Sequence, residues 1–108
     1  MHSDPVPDLA ELQRAIVAER RSRGFTTDPL QVFTLLVEEV GEVARELERT
    51  WSPHYDDPTV ERLAPELADI LALLAALADG YGIDLATAVE RKIFQADASR
   101  PWPSAQHP

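Results

Sequence analysis

The sequence contains no cysteine, which excludes disulfide bonds, zinc–thiolate sites and a cysteine nucleophile. It also lacks a long hydrophobic run. The longest, Ile70 to Ala78, falls well short of the ~20 apolar residues that a transmembrane helix needs. Residues 1–8 have neither the basic segment nor the apolar segment that a signal peptide requires. Together these absences predict a cytoplasmic protein.

Positive charge is scarce, because 10 lysine and arginine residues stand against 19 aspartate and glutamate residues, for a net charge of -9. A surface this acidic repels nucleic-acid phosphates and anionic lipids, so we expect neither a nucleic-acid partner nor a membrane partner. A length of 108 residues suits one folded domain rather than two. We therefore expect a single domain over residues 1–108, with loose tails at residues 1–7 and 101–108.

Proline, glycine and capping aspartates divide the chain into four predicted helices. The first two span about residues 8–23 and 29–50, the third ends at about residue 79, and the fourth spans about residues 84–99. Pro65 either opens the third helix or bends a longer one. No strand pattern or internal repeat is visible. The predicted fold class is all-α, a four-helix antiparallel bundle with short loops.

Carboxylates occur at helical spacing on two of these helices. Glu38, Glu39 and Glu42 lie on the second helix, where residues three or four apart share a face and like charges destabilise the helix. A solvated acidic face would also explain them. On the third helix, Glu66 falls inside the apolar arc and Asp69 lies on its edge. Carboxylates are rarely buried in such places unless they are paired or bound to metal. For Glu66, the simpler alternative is an acid favoured by the helix dipole.

Packed antiparallel, the two helices would bring these carboxylates to one place. Oxygen ligands without histidine or thiolate suit a hard cation such as Mg²⁺ or Mn²⁺. Mg²⁺ in such a site keeps positions open for water and substrate phosphates, which suits phosphoryl or pyrophosphoryl hydrolysis. Because close carboxylates repel one another, we expect at least one to have a raised pKa when no metal is bound.

The segments Glu38–Glu42 (EEVGE) and Glu66–Asp69 (ELAD) resemble the split acidic motif of the MazG-like all-α nucleoside triphosphate pyrophosphohydrolases, and the similarity extends from about Leu12 to Lys92. The resemblance implies a MazG-type fold and Mg²⁺-dependent cleavage of a nucleoside triphosphate into a monophosphate and pyrophosphate, with Mn²⁺ as a substitute metal. It also implies site residues. These are the metal ligands Glu39, Glu42, Glu66 and Asp69, and Glu38, which would bind an additional ion or orient the attacking water.

Substrate contacts are expected from other segments. By the resemblance, Lys92 matches a basic phosphate-binding position on the last helix. The asparagine expected four residues later is Ala96, and Arg100 matches the following arginine only if one residue is inserted. Phe25 and Trp51 lie near the ends of the first two helices and are candidates to stack on a base. Packing of the bundle ends is the simpler interpretation of both aromatics.

Two other functions are alternatives to hydrolysis. A carboxylate-bridged di-iron protein would need Glu-x-x-His motifs, and no predicted helix contains a histidine. A non-catalytic acidic helical module that binds a nucleotide or a partner would use the same carboxylates and stays open. The third helix is apolar on more faces than one small domain covers, which predicts a homodimer or a dimer of dimers.

Overall fold

The structure, a computed structural model, describes residues 8–48 and 60–97. It contains four α-helices, the last of which continues directly into a π-helix, and there is no strand in these two ranges. The α-helices are α1 (Leu9–Ser22), α2 (Pro29–Glu48), α3 (Val60–Gly80) and α4 (Leu85–Val89), and the π-helix is Glu90–Ala96. The predicted all-α class is therefore confirmed. Trp51, Arg100 and the two predicted tails lie outside the described residues.

The helices begin and end at the residues that the sequence marks. Asp8, Asp28 and Asp84 each accept a hydrogen bond from a backbone N–H in the first turn of the helix that follows. Such caps satisfy donors that a helix leaves without an internal partner. Gly24 and Gly82 follow α1 and α3 with φ of 71° and 66°, a left-handed conformation that glycine adopts without steric cost.

Pro65 lies inside α3, in its second turn. Of the two alternatives, the structure therefore shows a longer helix that contains the proline rather than a helix that starts at it. Proline has no backbone N–H, so the carbonyl of Glu61 loses its partner four residues on. The loss falls near the beginning of the helix, where few helical hydrogen bonds precede it.

The last helix differs from the predicted α-helix because its backbone widens at Glu90. The N–H of Asp97 donates to the carbonyl of Lys92, five residues earlier, at 3.0 Å. Two side-chain contacts have the same spacing: the Lys92–Asp97 ion pair and the hydrogen bond from Gln95 Nε2 to Glu90 Oε1 at 3.3 Å. A π-helix brings residues five apart close together, so these contacts favour the wider turn.

Helices α2 and α3 form the main packed pair, and α1 packs against α3 and α4. The pair is antiparallel. Near one end, Arg62 of α3 bonds to Glu46 of α2. At the other end, Gly80 lies so close to Pro29 that an added Cβ would approach the proline Cγ to 3.2 Å. The predicted antiparallel packing of the two acidic helices is therefore confirmed.

The core of a single chain is thin. Among the described residues, the buried hydrophobic side chains are Val32, Leu73, Ala75 and Ala78, while fifteen large hydrophobic residues are exposed. A soluble monomer rarely exposes so much apolar surface without a partner to cover it.

Two observations concern membranes. None of the helices in residues 8–48 and 60–97 is, by itself, long and apolar enough to span a bilayer. Residues 60–80 and 85–96 reach the required length and composition only as a pair bent by 97°.

Gln13 is a buried polar residue that the sequence analysis did not single out. Its Nε2 donates to the carbonyl of Ile83 at 2.8 Å, and its Oε1 accepts from the N–H of Leu85 at 2.8 Å. The side chain thereby satisfies two backbone groups of the turn between α3 and α4. This amide holds that turn against α1.

Replacing Gln13 by leucine should lower the free energy of unfolding by about 1–3 kcal/mol, because two part-buried backbone groups lose their partner. Urea denaturation of the variant and the wild type measures this. Gln95→Leu is the matched control, since it removes only a long, solvent-exposed hydrogen bond to Glu90, and it should change stability much less. Equal stability of Gln13→Leu and the wild type would contradict this role.

Candidate metal centre

Four carboxylates meet along the contact between α2 and α3. Glu39 and Glu42 lie on one helix and Glu66 and Asp69 on the other, and Glu39 is within electrostatic reach of the other three. One oxygen of Glu39 and one oxygen of Glu66 are buried without a hydrogen-bond partner. The structure therefore places the three other predicted metal ligands within electrostatic reach of Glu39.

The pKa of Glu39 is raised above its ordinary value of 4.5. Burial is the largest cause, because it disfavours the charged form. The negative charges of Glu42 and Asp69 follow, then a side-chain hydrogen bond with Glu42 and the charge of Glu66. The expectation of a raised pKa within this cluster is confirmed at Glu39.

A divalent cation fits the chemistry of this cluster. Buried carboxylate oxygens without a partner are costly unless a proton, a water molecule or a cation satisfies them. Mg²⁺ binds hard oxygen ligands, usually one or two carboxylates together with water and substrate phosphates. The cluster is not a closed cage, since no three acidic or histidine side chains in the described part of the chain are already arranged to hold a metal ion. Glu42 and Asp69 are exposed, so a cation would reach them from solvent.

Glu38 stands apart from the other four carboxylates. Its side chain is exposed, and its charge is not among those that raise the pKa of Glu39. One residue along an α-helix turns the side chain by about 100°. A role for Glu38 would therefore lie at the outer edge of the cluster.

An ion pair between Arg62 and Glu46 borders the cluster on one side. The Nε of Arg62 bonds to Glu46 Oε1 at 2.8 Å. The side chain of Glu46 is only 8% exposed, and that of Arg62 is 43% exposed. Glu46 follows Glu42 by four residues, and Arg62 precedes Glu66 by four. The pair therefore lies one helical turn beyond the carboxylates.

A cavity of about 490 Å³ opens on the opposite side of the cluster. Glu39 and Asp69 belong to its lining, together with residues from the end of α1, the loop after it, α2 and α3. The guanidinium of Arg20 lies over the ring of Phe25, 5.3 Å from its centroid. Arg20 Nη2 also donates to the carbonyl of Thr26 at 3.2 Å. Phe25, a predicted base-stacking residue, therefore lines a cavity that contains two of the predicted metal ligands.

Lys92, the predicted phosphate contact, is paired with the buried carboxylate of Asp97. It does not line the 490 Å³ cavity, and neither does any other residue of the π-helix. Trp51 and Arg100 lie outside the described residues. The role of all three in substrate binding stays a prediction.

Comparison with protein families settles the relationship of the chain. The MazG nucleotide pyrophosphohydrolase domain matches residues 27–95, more than half of the sequence. The chain belongs to this family. The matched range contains both carboxylate pairs together with Glu46 and Arg62, whereas α1 and Phe25 precede it. Comparison with curated proteins and with solved structures gave no match.

Replacing Glu39 by glutamine tests the strain in the metal-free cluster. Since its pKa is raised in the folded chain, wild-type stability falls as pH rises from 4.5 through the folded pKa. Glutamine does not ionise. With a chelator present, Glu39→Gln should therefore melt at a higher temperature than the wild type near pH ~7, and the difference should shrink toward pH ~4.

Thermal melts of the two proteins at both pH values measure this difference. Glu61→Gln is the matched control, because Glu61 is an exposed acid of the same helix pair outside the cluster. Excess Mg²⁺ should raise the melting temperature of the wild type more than that of Glu39→Gln. A variant that melts below the wild type at neutral pH in chelator would contradict the account.

Proposed function

We propose that this chain is a Mg²⁺-dependent nucleoside triphosphate pyrophosphohydrolase, with Mn²⁺ as a substitute metal. The reaction adds water to a ribo- or deoxyribonucleoside triphosphate and yields the monophosphate and pyrophosphate. One observation carries the proposal: Glu39 and Asp69 belong to the carboxylate cluster and also line the cavity. A nucleoside in the cavity would place its phosphates beside the carboxylates.

The carboxylates of Glu39, Glu42, Glu66 and Asp69 would hold the metal. Mg²⁺ bound there supplies charge neutralisation for the phosphates and a water molecule of lowered pKa. The exposed carboxylate of Glu38 would bind an additional ion or orient the attacking water. The chain's own contribution is to hold these acids on two packed helices, so that the substrate does not have to gather them.

The cavity suits the nucleoside part of the substrate. Its volume lies in the range of about 300–1,000 Å³ that is usual for small-molecule sites. Leu35, Ala72 and Leu73 supply apolar lining. The guanidinium of Arg20 lies over one face of the Phe25 ring, so a base would stack on the other face. Lys92, Arg100 and Trp51 are retained in the proposal as further substrate contacts, and Lys92 would have to leave Asp97 to reach a phosphate.

Assays of pyrophosphate release from the common ribo- and deoxyribonucleoside triphosphates test the proposal. At least one triphosphate should yield pyrophosphate rather than single phosphate, and only with Mg²⁺ or Mn²⁺. Asp69→Asn should lower this activity by orders of magnitude, because it removes a metal ligand from the cavity wall. It should also lose the Mg²⁺-dependent rise in melting temperature, whereas Glu61→Gln should keep both.

The alternative function is a non-catalytic acidic module that binds a nucleotide or a partner. It predicts that no triphosphate is hydrolysed with either metal, while Mg²⁺-dependent nucleotide binding persists. That outcome would contradict the enzymatic proposal.

We also propose that the chain acts in the cytoplasm as a homodimer or a dimer of dimers. On α2, the side chains of Phe33, Val37, Val40 and Leu47 are exposed, at the spacing of a helix–helix seam. Gly41 lies beside them, where a Cβ would meet no atom of the described chain within 4 Å. Glycine inside a helix costs about 1 kcal/mol relative to alanine. Close approach of a second helix would explain why it stands there.

Light scattering should report the mass of two or four chains at micromolar concentration. Val40→Glu should shift the mass toward that of one chain, because a second copy would have to bury the new charge. Ala18→Glu is the control, since Ala18 lies on an exposed part of α1, and it should leave the mass unchanged. A wild-type monomer would overturn the assembly proposal and leave the enzymatic one standing.

A further inference from the structure

The facing charged positions of α2 and α3 follow the same spacing in opposite directions. From the cavity outward, α2 presents Glu39, Glu42 and Glu46, at steps of three and four residues. In the same direction, α3 presents Asp69, Glu66 and Arg62, again at steps of three and four. We call each facing pair of positions a level. The first two levels carry an acid on both helices, and the third pairs Glu46 with Arg62 at 2.8 Å.

Arg62 is placed to do more than neutralise Glu46. The Glu46 side chain is 8% exposed, so the ion pair fixes the position of the guanidinium. The side chain of Arg62 is nevertheless 43% exposed and reachable from solvent. A guanidinium carries several N–H donors in a planar fork that matches phosphate oxygens. The arrangement is a fixed, reachable cation one helical turn from the carboxylates.

The cavity determines the direction in which a nucleotide would lie. Its lining includes Glu39 and Asp69 but neither Glu42 nor Glu66, and it continues away from them to Leu35 and Ala72. A nucleoside in the cavity would therefore place its α-phosphate beside the first level. The β- and γ-phosphates would extend along the second level toward Arg62.

We propose that Arg62, oriented by Glu46, binds the pyrophosphate end of the substrate and of the product. This inference rests on the proposed function and names the residue that recognises the leaving group. In the reaction, the water oxygen forms a bond to the α-phosphorus and releases its proton to solvent. The bond from the α-phosphorus to the bridging oxygen breaks, and that oxygen leaves with the electron pair as part of pyrophosphate. Arg62 stabilises the charge that accumulates there.

Calorimetric titration of the full chain with inorganic pyrophosphate in excess Mg²⁺ tests the assignment. Arg62→Met should weaken pyrophosphate binding by at least about tenfold, which corresponds to about 1.4 kcal/mol. Arg62→Lys, which retains the charge but not the fork, should fall between the variant and the wild type. The affinity for a nucleoside monophosphate should stay unchanged, because Arg62 does not reach that end of the substrate.

Arg21→Met is the control for loss of one positive charge. Arg21 is paired with Asp79 at 2.9 Å and its side chain is 63% exposed, so it resembles Arg62 but lies outside the cluster. Its replacement should leave pyrophosphate binding unchanged. Equal weakening by Arg21→Met and Arg62→Met would show a general charge effect and overturn the assignment.

A purely structural role for Arg62 makes a different prediction. Arg62→Met alone leaves Glu46 buried without this partner, which lowers stability. The double variant Arg62→Met/Glu46→Leu removes both charges and should recover the melting temperature. We expect it to bind pyrophosphate as weakly as Arg62→Met. Recovery of pyrophosphate binding together with stability would assign Arg62 a structural role only and overturn the proposal.

The two proposals fail in distinguishable ways. Unchanged pyrophosphate binding by Arg62→Met, or no binding by the wild type, overturns the role of Arg62, even if pyrophosphate release shows the chain to be an active enzyme. Specific weakening of pyrophosphate binding supports that role, even if no nucleotide is hydrolysed. In that case only the enzymatic proposal would fail.

Discussion

Repulsion among the carboxylates along the contact of α2 and α3 is the constraint on which the rest of the structure depends. These two helices form the main packed pair of the chain, so the contact that builds the fold also brings Glu39, Glu42, Glu66 and Asp69 together. A protein that needed only stability would place apolar residues here. Retention of buried oxygens without hydrogen-bond partners on Glu39 and Glu66 is typical of a site that trades stability for binding.

Charge is compensated unevenly along this contact. At one end, Arg62 neutralises Glu46 within the protein itself. At the other end, the carboxylates of Glu39 and Asp69 face a cavity whose far wall carries Arg20 and Phe25. The cluster therefore has a nucleoside-sized space on one side and a fixed cation on the other. Under the proposed function, this polarity would orient a triphosphate with its pyrophosphate end toward Arg62.

Much of this could be predicted from local sequence signals. Aspartate caps, glycines at helix ends and acids three residues apart act within one helix, so the helices and the carboxylate set follow from spacing. Spacing within one helix does not predict which side chains pair between two helices. Arg62 could have met Asp69 or Glu46, and only the relative position of α2 and α3 decides for Glu46. The π-helix depends on contacts between residues five apart, such as Lys92 and Asp97, a spacing that an α-helix pattern does not register.

The hydrogen bonds of Gln13 and the cavity could not be predicted from the sequence, because both form between segments that are far apart in the chain. The hydrogen bonds of Gln13 reach residues 70 and 72 positions away in the chain, and no local sequence motif predicts them. The cavity forms where the end of α1 meets α2 and α3, so the sequence indicated Phe25 as a candidate without showing what it would line. The apolar residues of α2 that we assign to an assembly interface are a similar case. Their helical spacing can be read from the sequence, but only the fold shows that they are exposed.

The central claim is that the four carboxylates between α2 and α3 hold a divalent cation beside a bound nucleotide. Anomalous diffraction from crystals grown with Mn²⁺ and a non-hydrolysable α,β-methylene triphosphate tests it most directly. The account predicts an anomalous peak coordinated by Glu39, Glu42, Glu66 and Asp69, with the triphosphate oxygens completing the coordination. Mn²⁺ bound elsewhere on the chain, with these carboxylates bound only to water or to protein side chains, would contradict it.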